Sequence, residues 1–184
     1  GFKKLINFYL IFILICFQGF IGWYMVSSGL VDRVDVSHFR LSVHLIIAFI
    51  ILSLILWNYL KLNSNIYFDK NLKLTLPLTF LSLIYLQIVI GAFVSGMDAG
   101  QIYNSWPLMG SNYFPDDNEH LNLFKLSAFS DPSLVQFMHR NLAYLILFFY
   151  FFLMIKIYLN KLNNLYFAIN LLGLLLLIQI VLGI

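Results

Sequence analysis

Two histidines lie inside long apolar runs of this chain, and each has an arginine close by. His44 stands in RLSVHLII with Arg40 four residues before it, and His139 stands in VQFMHRNLAY with Arg140 directly after it. Arg40 and His44 share a face at helical spacing, as do Gln136, His139, Arg140 and Ala143. An imidazole and a guanidinium are costly inside a membrane helix; where they occur they face a bundle interior and mark function. Imidazole donates a lone pair to a metal, and guanidinium forks onto a carboxylate. The pair at one level suits a haem, with imidazole on iron and guanidinium on a propionate. Each histidine also has an alanine one turn deeper, Ala48 and Ala143, which leaves room for a flat group. A single intramembrane histidine has a plainer use, an interhelical hydrogen bond. Two in equivalent surroundings, each with Arg and Ala, favour ligands.

Other chemistries find less support. No Cys, Asp or Glu accompanies His44 or His139 at zinc-ligand spacing within the apolar runs. His38 and His120 fall in connecting segments and read as solvated or interfacial. Carboxylates are restricted to loops and their edges; Asp98, in GAFVSGMDAGQIYNSWPLMG, either orients a substrate or caps a turn before Gly100. No Ser-His-Asp set, P-loop or dinucleotide fingerprint is present, so catalysis has to come from a bound cofactor or from residues not on this chain.

The elements that must position these groups are membrane helices. The chain is 61% hydrophobic and 10% charged, with mean hydropathy +0.88, far more apolar than a soluble domain of this size needs. About 20 apolar residues cross a bilayer, and five stretches meet that need, near residues 5–26, 40–60, 74–94, 132–155 and 164–184. The first follows Lys3 and Lys4 but is too long for a signal-peptide core and has no convincing cleavage site. The lone Cys16 excludes an intrachain disulfide and a thiolate metal cluster. Ser130 or Asp131 can cap the fourth helix, with Pro132 in its first turn. At 1.5 Å per residue His44 lies roughly 6 Å, and His139 roughly 10 Å, below the start of its helix.

Loop charges alternate. Lys3, Lys4, Lys61, Lys70, Lys73, Lys156 and Lys161 fall on one side, opposed only by Asp69. The other side carries Asp32, Arg33 and Asp35, then Asp98, Asp116, Asp117, Glu119 and Asp131 with Lys125. The positive-inside rule makes the lysine side cytoplasmic, placing the N-terminus inside and both histidines near the outer face. The dispersed lysines are topology signals, not a nucleic-acid surface. The outer segment 96–131, rich in Gly, Asn, Asp, Pro and aromatic residues, reads either as a solvated connector or as a lid over a site at the outer face.

The chain also repeats itself. Gln18 precedes Gly22, Gln87 precedes Gly91 and Gln179 precedes Gly183 by the same four residues. After the first two, the chain crosses an outer loop and returns in a helix bearing His44 or His139. Two helix pairs therefore read as copies of one unit and the fifth helix as the start of a third. Chance recurrence of Gln and Gly at packing faces is the plainer reading.

These segments carry a resemblance. QGFIGWYMVSSGL at 18–30, FRLSVHL at 39–45, GAFVSGMDAGQIYNSWPLM at 91–109, VQFMHRNLAY at 135–144 and LIQIVLGI at 177–184 together resemble the haem A synthase family, in the type shared by mitochondria and alphaproteobacteria. The resemblance implies an all-α membrane fold of eight helices in two pseudo-symmetric four-helix bundles, each offering two histidines to a haem. It matches the five helices here to the third through seventh, so the chain is expected to be an internal fragment. Residues 1–61 would be the second helix pair of the N-terminal bundle, 62–73 a cytoplasmic linker, and 74–184 the first three helices of the C-terminal bundle, with 96–131 an outer loop. It implies His44 as ligand to the substrate haem iron and His139 as axial ligand of haem b. Partner histidines and the glutamate implicated in catalysis would lie outside this chain, leaving the catalytic residue unidentified and the fragment alone inactive. Arg40 and Arg140 as propionate partners rest on spacing.

The implied reaction oxidises the C8 methyl of haem O to a formyl group, with oxygen from water and electrons passed to an acceptor the sequence does not identify. The product, haem A, serves cytochrome c oxidase. Expected partners are haem O, membrane lipid, haem O synthase and a second copy of the chain, but no nucleic acid. The expected site is the bacterial or mitochondrial inner membrane, with the N-terminus on the cytoplasmic or matrix side. His38 stands where the family pattern has Pro, and the outer-loop cysteine pair of another branch has no counterpart. Two other functions are weighed: a bis-His b-type cytochrome that only transfers electrons, and a transporter, which should show helices broken at midplane. The sequence has no pair of Gly/Pro interruptions there.

Overall fold

A computed structural model of the chain describes residues 2–29, 37–63 and 72–183. Asp32, Arg33, Asp35, Asp69 and Lys70, which enter the loop-charge argument, lie outside the described residues. Five long α-helices carry the architecture: α1 (Phe2–Gly29), α2 (His38–Asn63), α3 (Thr75–Gly96), α4 (Pro132–Leu159) and α5 (Tyr166–Gly183). Each is long and apolar enough to cross a bilayer, and the chain is an all-helical, polytopic membrane protein. In hydrocarbon every backbone polar group must be satisfied within the segment, which a continuous helix does. Some polar side chains follow the same rule. Thr79 and Ser82 donate to the carbonyls of Thr75 and Leu78 one turn back, at 2.9 Å each.

Helix ends follow local chemistry. Asp131 caps α4, accepting from the Leu134 N–H at 3.0 Å, with Pro132 as the first helical residue. α2 begins two residues earlier than expected, at His38, so His44 is its seventh residue and His139 the eighth of α4. The two imidazoles therefore sit at nearly equal depth.

Consecutive helices are antiparallel neighbours. Asn7 near the start of α1 donates to Asn58 near the end of α2 at 3.1 Å. The Tyr85 hydroxyl of α3 donates to Ser53 Oγ of α2 at 2.7 Å. On α4, Leu142, Ile146, Tyr150, Leu153 and Ile157 recur at helical spacing and form one buried stripe, meeting Phe80, Ile90 and Phe93 of α3 and Ile169 of α5. Lipid is as apolar as this stripe, so packing contacts rather than water exclusion hold it together. Gly173 of α5 leaves space for the Tyr150 hydroxyl, which donates to the Ile169 carbonyl at 3.3 Å. Of an 18-residue apolar stretch of α4, 28% is buried, against 6% for α1 and α5. α4 is thus the hub, and α1 and α5 turn most of their surface outward. This arrangement sets Lys61, Lys73, Lys156 and Lys161 at one end, and the acidic α3–α4 loop with His44 and His139 toward the other.

Candidate functional site

The repeat seen in the sequence is a repeated contact in space. On α1, Gln18 and Gly22 are one turn apart and face α2; on α3, Gln87 and Gly91 do the same toward α4. The Gln18 amide nitrogen lies 3.2 Å from His44 Nε2 and 2.9 Å from the His44 carbonyl oxygen. The Gln87 amide nitrogen lies 3.1 Å from His139 Nε2 and 3.2 Å from the His139 carbonyl. A Cβ added at Gly22 would stand 3.1 Å from His44 Cε1, and one at Gly91 3.1 Å from His139 Cε1. Each imidazole is thus seated edge-on against a helix that has no side chain at that point, with a carboxamide one turn deeper. The third copy, Gln179 and Gly183 on α5, has no imidazole against it among the described residues, and Gly183 has open space where a Cβ would go.

An amide nitrogen can only donate. Placed between the histidine carbonyl and Nε2, it gives one hydrogen to each, so Nε2 carries the lone pair and Nδ1 the proton. Nδ1 of both histidines and Oε1 of both glutamines are buried with no hydrogen-bond partner. Half-buried imidazoles are the donor type that could hold a haem iron, and in this structure the Nε2 lone pair of each is taken by the glutamine amide. Among the described residues no three His, Cys, Asp or Glu side chains group to hold a bare metal ion.

The arginines differ from each other. The Arg40 guanidinium lies over the Tyr24 ring of α1, 5.2 Å from its centroid. Arg140 instead fastens the outer loop. Its Nη1 donates to the Ser105 carbonyl at 2.8 Å and its Nη2 to the Tyr103 carbonyl at 2.7 Å. Neighbouring residues on the outer turns of α4 complete the fastening. Gln136 Nε2 donates to the Tyr103 carbonyl at 2.9 Å, the Tyr113 hydroxyl to Asn141 Oδ1 at 2.6 Å, and Trp106 Nε1 to the Tyr144 hydroxyl at 2.8 Å. The connector reading of residues 96–131 is therefore incomplete. The loop is bonded down onto the helix that carries His139. Gly110, with φ +81°, turns beside the Asp116 carboxylate, where a side chain would collide.

Loop carboxylates do the remaining tying. Burial pushes the Asp117 carboxyl up, but hydrogen bonds from Ser133, Asn118 and Tyr103 outweigh it and hold the group below the usual range. The Ser111 backbone N–H, then the Asn112 amide, likewise lower Asp116. Burial, then the bond to Asp117, raises the Tyr103 phenol. A carboxyl depressed in the folded state stabilises it above the unfolded pKa, and that contribution is lost as pH falls through the folded pKa. Pepsin cleavage of the loop, normalised to a denatured control at each pH, should therefore rise between about pH 5 and pH 2. Asp117→Asn should flatten the rise; a pH-independent ratio in the wild type would exclude the carboxylates as the fasteners.

The remaining candidates settle differently. The expectation that His38 lies in a loop is corrected. It is the first residue of α2, packed 5.3 Å from the Phe93 ring, with its Nε2 buried and unpartnered. The close approach is possible because Gly96 faces the His38 backbone, 2.9 Å from where a Cβ would be. His120 is exposed, as expected, and stacks on Phe114 at 4.2 Å. It lines an open depression of about 420 Å³ with Asn112, Asp116 and Asn118, within the loop rather than beside the two cradled imidazoles. Asp98 adopts a left-handed conformation, φ 51°, and its carbonyl accepts from the Gln101 N–H at 3.1 Å; its side chain makes no capping bond. Sequence reasoning noticed Gln18 and Gln87 only as repeat markers. Their recurrence one turn from glycine was the signal for their contact with histidine.

The family model described as cytochrome oxidase assembly protein, COX15-CtaA, matches residues 3–184. A protein of Pelagibacter ubique named Heme A synthase is 51% identical over 152 residues, covering 80% of this chain and 45% of the relative. Proteins of the same name from Rickettsia bellii and Rickettsia prowazekii are 46% and 45% identical, covering 77% and 74% of this chain and 44% and 41% of theirs. The chain thus spans less than half the length of these curated relatives. No solved structure matches.

Proposed function

The chain belongs to the COX15-CtaA family of cytochrome oxidase assembly proteins, and from that membership we propose that it is the central part of a haem A synthase. The whole protein would act in haem A biosynthesis, as its relatives' names state for them. Its reaction would be oxidation of the haem O C8 methyl to a formyl group, with oxygen from water and electrons leaving to an acceptor. The observation that carries the proposal is the pair of matching cradles: two neutral imidazoles at one depth, each held by Gln and Gly from the preceding helix.

In this reading His44 holds the iron of substrate haem O and His139 the iron of haem b, a redox group able to relay electrons. The chain's own residues bind and orient. Gly22 and Gly91 let the imidazoles approach their partner helices. Arg40 and Arg140 set positive charge at the outer level, where haem propionates would find a counter-charge. Arg140 spends one hydrogen of each Nη on a loop carbonyl, so a propionate would share its guanidinium with the loop. The fastened loop would act as a lid excluding water from that end. Residues 1–61 and 74–184 would contribute to two successive helix bundles, joined through a linker on the cytoplasmic or matrix side.

Product analysis of the full-length protein tests this: haem O supplied in membranes should yield haem A. Haem b binding without any haem A would favour a b-type cytochrome that only transfers electrons.

A further inference from the structure

The structure assigns residues 121–126 of the outer loop to the surrounding lipid, as an interfacial anchor made of Leu121, Phe124, Leu126 and Lys125. This step rests on the membrane fold alone and not on the haem ligands. Two short 3₁₀ turns, His120–Phe124 and Leu126–Ser130, lead into the Asp131 cap of α4. Side chains three apart in such a turn lie one above the other, so Leu121 and Phe124 share a side. Leu121 is 72%, Phe124 85% and Leu126 88% exposed, whereas Ala128 is buried and Leu123 half-buried. The turns thus direct small or inner residues to the bundle and hold three large apolar side chains outside it. Single exposed apolar residues are ordinary on a protein surface. Three within six residues form a patch of the kind that marks a membrane or protein contact.

The level of the segment identifies what it meets. Phe129 packs edge-on to Phe93, ring centroids 6.3 Å apart, and Phe93 lies 5.3 Å from His38. Phe93 is in the last turn of α3 and His38 is the first residue of α2. The turns are therefore level with the ends of α2, α3 and α4, not raised above them. The 28 residues of α4 span roughly 42 Å at 1.5 Å per residue, against about 40–45 Å for a bilayer with its headgroups. Its capped end falls in the headgroup zone, and the turns that abut it fall there too. Lys125 stands between the turns and is the one Lys, Arg, Asp or Glu of residues 120–130. Its exposed ammonium donates to Asn122 Oδ1 at 2.8 Å and has further hydrogens for acceptors outside the protein. The carboxylates of Asp117 and Asp131 turn the other way, onto Ser133 and onto the Leu134 N–H. Apolar side chains around one basic residue fit a lipid interface, where acyl chains receive the first and phosphates the second. The outer loop is then held in two places, by Arg140 on its first half and by lipid on its second.

The test uses full-length protein, freed of Cys16 and any other cysteine, in nanodiscs of phosphatidylcholine and phosphatidylglycerol. A nitroxide is attached at Phe124→Cys, at Leu126→Cys and, as the control in the same loop, at Glu119→Cys, an exposed position. Paramagnetic resonance reads collisions of each label with oxygen, which concentrates in lipid, and with a nickel chelate, which stays in water. The labels at 124 and 126 should show an oxygen-to-nickel ratio several-fold above that at 119. Adding Lys125→Glu should lower the ratio, because the carboxylate is repelled by anionic headgroups. Ratios equal to the control at 119 would place the segment in water and overturn the anchor. Shielding from both reagents would place it beneath the rest of the protein or a second copy, and would overturn it equally. An unchanged ratio in Lys125→Glu would remove the lysine from the lipid contact. If either labelled variant fails to accumulate, Leu121→Cys gives the same reading from the other end of the patch.

Discussion

Replacing His139 by Ala in the full-length protein should abolish the low-spin haem b signal and weaken haem b retention by more than about 100-fold, beyond the range typical of an outer partner. The reason is local. The imidazole fills a seat bounded by Gly91 and Gln87, and among the described residues no three His, Cys, Asp or Glu side chains group around it to hold a metal ion in its place. Alanine would leave the Gln87 amide with its carbonyl anchor but no ring to hold. His120→Ala, in the exposed outer loop, is the matched control and should leave the spectrum unchanged. An intact low-spin signal in His139→Ala, measured by optical and paramagnetic resonance spectroscopy, would remove His139 from the proposed ligand set.

Arg140→Ala should release the outer loop. It removes a charged donor from the carbonyls of Tyr103 and Ser105. Hydrogen bonds to charged groups are worth about 1.5–3 kcal/mol. Loop opening should therefore become on the order of 100-fold more frequent, read as faster hydrogen exchange over residues 103–109. Gln136 still holds the Tyr103 carbonyl and Tyr144 still holds Trp106, so the loop should loosen without detaching. Arg140→Lys should recover part of the protection, since an ammonium reaches one carbonyl but does not fork onto two. Unchanged exchange in Arg140→Ala would refute the fastening role. Haem b content in the same variant separates two uses of one side chain: loss of haem with the loop still protected would favour a propionate contact over a loop clasp.

Much of this protein could be read along the chain. A helix in lipid satisfies its backbone within itself, so its existence and length are written in a local run of apolar residues. All five expected helices are present within a few residues of their expected ends. Lysines at alternate ends, a cap at Ser130 or Asp131 and the place of His44 and His139 near one face follow from the same one-dimensional information. The Gln-to-Gly spacing was visible too, as a pattern awaiting a contact.

Tertiary structure decided which side chains meet. Helices as apolar as these carry no polar face that fixes their rotation, and lipid rewards one apolar surface as well as another. Rotation and register are instead set by close packing between neighbours. The Leu142–Ile157 stripe against α3 and Gly173 beneath the Tyr150 hydroxyl are examples. Only that packing turns Gln87 toward His139 and Gln18 toward His44, brings Gly96 under His38, and aims Arg140 at the loop. The sequence by itself determined that two imidazoles would lie in apolar helices near one face. The packing of helix on helix decided that each would be held by a glutamine and seated on a glycine, because those contacts depend on distances across the bundle that no local pattern encodes.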